Sequence, residues 1–338
     1  MNLQIIEEKM NSASSVLVEE VKQIDGDILI IGISGKIGFN LASKLMDALK
    51  KANKDTKVFG AARFSGDTSD QDRFRKIGVI PIVADVLDQD QLDALPKVKN
   101  VIFMVGYKFG TQGNESLTWA MNAYLPGKIA ETFKDSRIVV FSTGCVYPLV
   151  NVKDGAPDES ITPDPVGEYA QSCLGRERIF EYYSKKHGTE VLIYRLNYAI
   201  DTRYGVLIEL ANSIKNGIPI NLEMGHVNVI WQPDASEMAI RSLLHCTSPA
   251  NIVNITGPET LSVKWIAERL AESMGCSVTF EGIESDTALL SNASKSHQLF
   301  SYPQTDIRTM IEMIALWVME DGEQSDKPTH FQEREGKY

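Results

Sequence analysis

Basic residues are in short supply in this sequence. Its 34 lysines and arginines face 45 aspartates and glutamates, a formal net charge of −11 over 338 residues. Non-specific grip on nucleic acid needs the opposite balance, because Lys and Arg neutralise phosphates. No nucleic-acid partner is therefore expected, and a local basic pocket for a phosphorylated ligand stays open. Long apolar runs are missing too: none approaches the ~20 residues that a membrane-spanning helix needs. The acidic start MNLQIIEEKMNSASSVLVEE lacks the charged-then-apolar layout of a secretory signal. A cytoplasmic protein with no membrane partner is the expectation. Cys145, Cys173, Cys246 and Cys276 form no CxxC pattern, and the five histidines show no HxxxH or HExxH spacing. Both absences argue against a metal site and for reduced thiols. Internal repeats and low-complexity tracts are also lacking.

What is present is a rhythm. The apolar run Ile28-Leu29-Ile30-Ile31, stopped by Gly32, reads as a strand buried on both faces. A helical pattern follows over 38–52 through Leu41, Leu45, Met46 and Leu49. Further strands are expected at 57–62, 79–83, 100–105, 138–142 and 191–196, and helices at 89–95, 117–133 and 166–186. This alternation predicts an α/β fold, a Rossmann-type doubly wound parallel sheet with a smaller C-terminal substrate-binding lobe. Residues 1–25, with Leu17, Val18, Val21 and Ile24 at helical spacing, read as a helical extension. Residues 26–199 form the sheet domain, to which 227–256 return. The lobe takes 200–226 and 257–320, with helices at 208–216, 262–274 and 307–319. The charged segment 321–338 reads as a loose tail.

The segment Gly32-Ile33-Ser34-Gly35-Lys36-Ile37-Gly38 lies between the first strand and the first helix of this pattern. Its first glycine permits a tight turn, the second lets backbone approach a pyrophosphate, and the third lets helix pack on sheet. The helix start then offers unpaired N–H groups to the anion. Ile37 stands where a mononucleotide P-loop needs Ser or Thr, so a dinucleotide is indicated, with Ser34, Lys36 and Ile37 beside the three glycines at the phosphates. At the end of the second strand, Ala62 takes the place where an acidic residue would bond the ribose of NAD, and Arg63 follows. An arginine fork suits a 2′-phosphate, which favours NADP over NAD. Alternatively Arg63 lies on the adenine or faces solvent. Asp85-Val86 ends the third strand, where the Asp bonds the adenine amino group or simply closes the strand.

Several further segments resemble the extended short-chain dehydrogenase/reductases, the NAD(P)-dependent epimerase/dehydratase family. The glycine loop has the GxxGxxG spacing of that family. Ser142-Thr143-Gly144-Cys145-Val146-Tyr147 is similar to its strand ending in Ser-Ser/Thr-x-x-Val-Tyr. Tyr169-Ala170-Gln171-Ser172-Cys173, with Glu177 beyond, is similar to its Tyr-x-x-x-Lys helix. Arg195-Leu196-Asn197 resembles its Arg-Leu/Phe-x-Asn strand, and Asn254-Ile255-Thr256-Gly257-Pro258-Glu259 its late Asn-Ile-x-Gly-x-Glu turn. The resemblance spans about residues 26–320. It implies hydride transfer between a carbinol carbon and nicotinamide, with Tyr169 as acid/base and Thr143 holding the same oxygen. It also places Val105, Gly106, Asn122, Cys173 and Asn197 along the cofactor. The stretch from Gly106-Tyr107-Lys108-Phe109-Gly110 to Glu115-Ser116 resembles a loop of nucleotide-sugar 4-epimerases whose lysine approaches phosphates. Lys108 then serves that role or is a solvated loop lysine.

One position departs from the family pattern: Cys173 stands where the lysine belongs. A thiol supplies neither the positive charge that favours tyrosinate nor the reach to ribose hydroxyls. Lys108 or the nicotinamide ring could do that electrostatic work. Otherwise the enzyme uses another acid/base and a different reaction, or the chain is a cofactor-binding or sensor protein with little turnover. Cys145 and Cys173 form a thiol pair near the site or act as small buried hydrophobes. In the lobe, Asp234 is expected to cap a helix, and no Arg precedes it in Gly225–Pro233, as nucleotide-sugar enzymes would have. The substrate class stays a sugar, a sugar derivative or a nucleotide sugar. Arg203, His226, Asn228 and Trp231 line a pocket or simply pack. The resemblance further implies a homodimer paired through helices 117–133 and 166–186.

Overall fold

A computed structural model describes residues 2–65, 69–108, 110–325 and 327–337; Phe109 of the lysine loop, and Met1, Asp326 and Tyr338 of the two terminal segments, lie outside them. The apolar run after the extension forms β1 (Ile28–Ile31), buried along its whole length. It sits mid-sheet with β2 (Val58–Ala62), β3 (Ile80–Val83), β4 (Asn100–Phe103), β5 (Arg137–Thr143), β6 (Val191–Leu196) and β7 (Asn251–Ile255). The spatial order is β7-β6-β5-β4-β1-β2-β3 and every pairing is parallel. Ile28 pairs with Val58 on one side and Asn100 on the other. The order reverses between β1 and β4, which opens a crevice at the strand C-termini. The turn expected at 254–259 begins inside a strand: β7 pairs in register with β6 through Asn254 and Ile255. Two asparagines in its five residues hide the apolar signature of a buried strand.

The helices, in chain order, are α1 (Leu3–Asn11), α2 (Ser15–Val21), α3 (Gly38–Lys51), α4 (Ser69–Lys76), α5 (Gln89–Asp93), α6 (Glu115–Trp119), α7 (Leu125–Thr132), α8 (Gly167–His187), α9 (Val206–Lys215), α10 (Gln232–Arg241), α11 (Val263–Met274), α12 (Ser294–Phe300) and α13 (Ile307–Met319). The continuous helix expected over 117–133 is broken by a π-helical turn at Ala120–Tyr124. Pro126, in the first turn of α7, has no N–H to continue a regular ladder. Helix α8 carries Lys185, Lys186 and His187 in its last turn and stops at Gly188 in the left-handed region, so charge and cap agree on its end. Asp234 does not cap α10. The helix starts two residues earlier, with Pro233 in its first turn, and the Asp234 carboxylate accepts from Thr305 N at 2.9 Å.

Three apolar cores hold these parts. Leu17, Val21, Leu41, Leu45 and Met238 cover one sheet face. Leu92, Leu125, Ile129 and Phe180 cover the other. A third core, with Leu210, Ile266, Ile314 and Trp317, fills the C-terminal lobe. The N-terminal extension joins two of them: Ile6 and Met10 enter the lobe core, while Leu17 and Val21 enter the sheet core. Ser14 Oγ donates to Glu237 at 2.6 Å, and Lys44 reaches the same carboxylate at 2.7 Å.

The C-terminal segment is not a loose tail. Thr329 and Phe331 are buried. Thr329 Oγ1 donates to Glu209 at 2.7 Å, Arg334 donates to Thr287 O at 3.0 Å and Ser285 Oγ at 3.1 Å, and Gly336 packs on Val166 and Gly167 at the start of α8. Charged composition concealed this because the anchoring partners, Glu209, Ser285 and Thr287, lie far away in sequence.

Candidate active site

The glycine loop folds as its spacing requires. Gly32 has φ +92°, and a Cβ there would stand 3.0 Å from Val105 N. A Cβ on Gly38 would stand 1.8 Å from Ile33 O, so only glycine lets α3 start so close to β1. No side chain caps α3; Gly38 N turns back to Gly35 O at 3.0 Å, and the N–H groups just after it are left for an anion. A cavity of about 400 Å3 opens here, lined by Gly32, Gly35, Lys36 and Ile37 from the loop, Gly106 and Lys108 after β4, Thr143 at the end of β5, Tyr169 of α8, and Asn197 after β6. Asn197 Nδ2 is buried with no hydrogen-bond partner among the described residues. The glycine cradle, the uncapped helix start and this orphaned donor fit a dinucleotide.

Other expected residues lie elsewhere. Asn122 does not face the cavity: its Oδ1 accepts from Tyr107 N and Arg176 at 2.8 Å each, and its Nδ2 donates to Tyr107 O and Ser172 Oγ. Cys173 also lies one layer back, 1% exposed against Val146 and Tyr147. Val105 packs on Gly32 rather than lining the cavity. Ser34 is exposed in the loop, outside the lining. Arg63, exposed after β2, and Asp85-Val86, after β3, follow neighbouring strands on the same sheet edge, away from the cavity. The Asp85 carboxylate accepts from Leu87 N at 3.0 Å. In the lobe, Asn228 and Trp231 are packing residues: Asn228 bonds Glu259 O and Ser291 N, and Trp231 is 3% exposed in the lobe core. Arg203 pairs with Glu7 at the surface.

The tertiary fold adds wall residues that sequence reasoning missed: Tyr198, Tyr204, Gln232, Lys327, Thr329 and Arg176. Lys327 and Thr329 arrive on the C-terminal segment, and Lys108 donates to Thr329 O at 3.3 Å. Only Arg176 left a trace in the sequence, seven residues beyond Tyr169 and so on the same helical face.

Electrostatics in the cavity are set by burial. Burial pushes the Tyr169 phenol well above its usual range; Cys173 and Cys145 push the same way, while Arg176 and the Thr143 hydroxyl oppose them. Burial likewise pushes the Cys173 thiol up to about 11, so it is neutral at physiological pH. Cys145 and Cys173 are both free thiols. Lys36, exposed as a residue, sets its ammonium 3.1 Å from the Tyr204 ring centroid. Burial of that end, with Lys108 and Lys327 nearby, pulls it down to about 7. Behind the cavity, Glu177, Arg195, Ser142, Tyr147 and Asn254 form one buried network. Arg195 Nη2 meets Glu177 at 2.6 Å, Ser142 Oγ donates to Glu177 at 2.5 Å, Arg195 Nη1 donates to Tyr147 OH at 2.6 Å, and Tyr147 OH donates to Asn254 Oδ1 at 3.0 Å. It ties α8 to β5, β6 and β7, which fixes the register of Tyr169 against Thr143.

Sheet order and glycine cradle, with Tyr169 and Thr143 on the wall of the same cavity, define a dinucleotide-binding α/β protein. Residues 28–222 match the NAD dependent epimerase/dehydratase family, and the chain belongs to that family. Its fold is similar to UDP-glucuronic acid 4-epimerase from Bacillus cereus in complex with NAD, at 20% identity and TM-score 0.72 over 87% of this chain and 99% of that one. It is also similar to dTDP-glucose 4,6-dehydratase from Bacillus anthracis in complex with NAD, at 16% identity and TM-score 0.72 over 87% and 97% of the two chains. RMD from Pseudomonas aeruginosa complexed with NADPH matches at 18% identity and TM-score 0.66 over 86% and 99%. No curated protein matches the chain significantly. Among the described residues no helix is long and apolar enough to cross a membrane, and no cluster of His, Cys, Asp or Glu could hold a metal ion.

Proposed function

We propose that this chain is an NAD(P)-dependent oxidoreductase or epimerase acting on a carbinol of a sugar, a sugar derivative or a nucleotide sugar. The observation that carries the reading is the meeting of Tyr169 and Thr143 on one cavity wall with the glycine loop opposite. The nicotinamide, when bound, accepts or returns the hydride. Tyr169 takes the hydroxyl proton as the carbinol becomes a carbonyl, and returns it in the reverse direction. Thr143 holds the same oxygen by hydrogen bond. Lys108, at the cavity mouth, faces phosphate or another anionic group. The exposed Arg63 after Ala62 supports NADP over NAD. The helix faces carrying Tyr124 and Tyr182, 64% and 59% exposed, support pairing as a homodimer.

A sensor or binding protein is the second reading, favoured by the buried, neutral Cys173 at the lysine position. The experiment is a fluorescence titration with NADPH and NADH, followed by a panel of UDP-sugars and free sugars read by cofactor absorbance. Turnover that falls about 100- to 10,000-fold in Tyr169→Phe, with cofactor affinity kept, is the expected result. Turnover unchanged in Tyr169→Phe refutes the assignment of Tyr169, and cofactor binding without turnover on the panel favours the sensor.

A further inference from the structure

We propose that Arg176 supplies the positive charge beside Tyr169 that the family's helix would carry as a lysine at position 173. The proposal rests on the reading of Tyr169 as the acid/base. It starts from what Cys173 cannot do: its thiol, packed with Val146 and Tyr147 and hydrogen-bonded to the Tyr169 phenol, is 1% exposed, and burial keeps it neutral, so it brings no charge. Arg176 lies on the same face of α8, two turns beyond Tyr169. Side chains on a helix lean toward its N-terminus, so the long arginine reaches back toward the tyrosine. Both residues line the same cavity.

The guanidinium is fixed in place. Nη1 donates to Phe141 O at 2.6 Å, two residues before Thr143 on β5, Nη2 donates to Asn122 Oδ1 at 2.8 Å, and Nε donates to Asn122 O at 3.4 Å. All of these acceptors are uncharged. Glu177, next in sequence, is committed to Arg195, and no carboxylate among the described residues pairs with Arg176. A 4% exposed cation without a carboxylate is costly to keep. With no carboxylate in direct contact, its charge acts where water screens little.

The groups that face Tyr169 come from three elements. Cys173 and Arg176 are on its own helix, Thr143 and Cys145 come from the end of β5, and Lys108 comes from the loop after β4 with Nζ 5.8 Å from the ring centroid. Lys108 is the competing cation. It is half-buried on a loop, where solvent weakens its field, whereas Arg176 is buried and held by three hydrogen bonds.

The test follows Tyr169 ionisation by tyrosinate absorbance, taken as the difference between each protein and its Tyr169→Phe counterpart, with oxidised cofactor bound and no substrate. Arg176→Gln keeps a donor for Asn122 and loses the charge. It is expected to move the ionisation to higher pH, with about a tenfold drop in tyrosinate fraction at a given pH. Arg176→Lys is expected to stay near the parent, and Arg176→Gln with Cys173→Lys to return toward it. Lys108→Met is expected to leave the ionisation in place. A parental titration in Arg176→Gln, or the full shift in Lys108→Met, overturns the proposal. Should Arg176→Gln not fold, the comparison of Arg176→Lys with Lys108→Met decides: a shift in Lys108→Met alone overturns it. Because no substrate is used, the result stands apart from whether the sugar panel gives turnover.

Discussion

Replacing Glu177 by glutamine removes one charge from the centre of the network behind the active site. Glu177 is 0% exposed and Arg195 is 1% exposed, so no water can take the place of either partner. The carboxylate accepts from Arg195 Nε at 3.0 Å and Nη2 at 2.6 Å and from Ser142 Oγ at 2.5 Å. Burial alone would pull the Arg195 guanidinium down, and Glu177 more than reverses that. Glu177→Gln therefore strands a buried cation, at a cost of about 3–5 kcal/mol. Against a typical stability of roughly 5–15 kcal/mol, that is a large fraction. Urea unfolding should show a lower midpoint with an unchanged slope. The double variant Glu177→Leu/Arg195→Met, which leaves no stranded charge, should cost less than Glu177→Gln alone. A loss below about 1 kcal/mol in Glu177→Gln, within the range of ordinary surface pairs, would refute the view that this pair anchors α8.

Two further outcomes test the cavity. Lys36 is pulled from 10.5 to about 7, so the folded chain binds fewer protons than the unfolded chain between those values, and this group's contribution to stability rises with pH across that window. An anionic cofactor that recharges Lys36 must take up a proton above pH 7: calorimetry near pH 8 in buffers of different ionisation enthalpy should find uptake in the parent and not in Lys36→Met, and equal uptake in both would place Lys36 away from the anion. Phe331, 3% exposed in the lobe core, pins the C-terminal segment. Phe331→Ala should release that segment, seen as lost amide protection over 327–337 with little change in the global unfolding midpoint, because the cost of about 3–5 kcal/mol is capped by the segment's own local stability; unchanged protection would mean that the polar anchors at Glu209 and Thr287 suffice.

Much of the sheet domain was legible in the sequence because its signals are local. Buried parallel strands read as apolar runs, and a glycine that must accept φ +92°, or one whose Cβ would stand 1.8 Å from a carbonyl oxygen, can be nothing else, so β1, the loop and α3 could be read from about twenty-five residues. The motif residues Ser142, Tyr147, Glu177, Arg195 and Asn254 were visible one by one, but not as a single network, since their contacts cross four elements. The same distance effect hid β7 behind its asparagines and hid the C-terminal segment behind its charge.

Sequence alone thus determined the fold class, the phosphate loop, the tyrosine with its threonine and the missing lysine, because each rests on residue type and short spacing. Tertiary structure alone decided that Cys173 lies outside the cavity lining, that Asn122 is spent on Tyr107, Ser172 and Arg176, that Lys327 and Thr329 close the wall, and that Arg176 stands as a buried cation with no carboxylate partner among the described residues. Burial and long-range hydrogen bonding set those outcomes, and neither is written in the spacing of neighbouring residues.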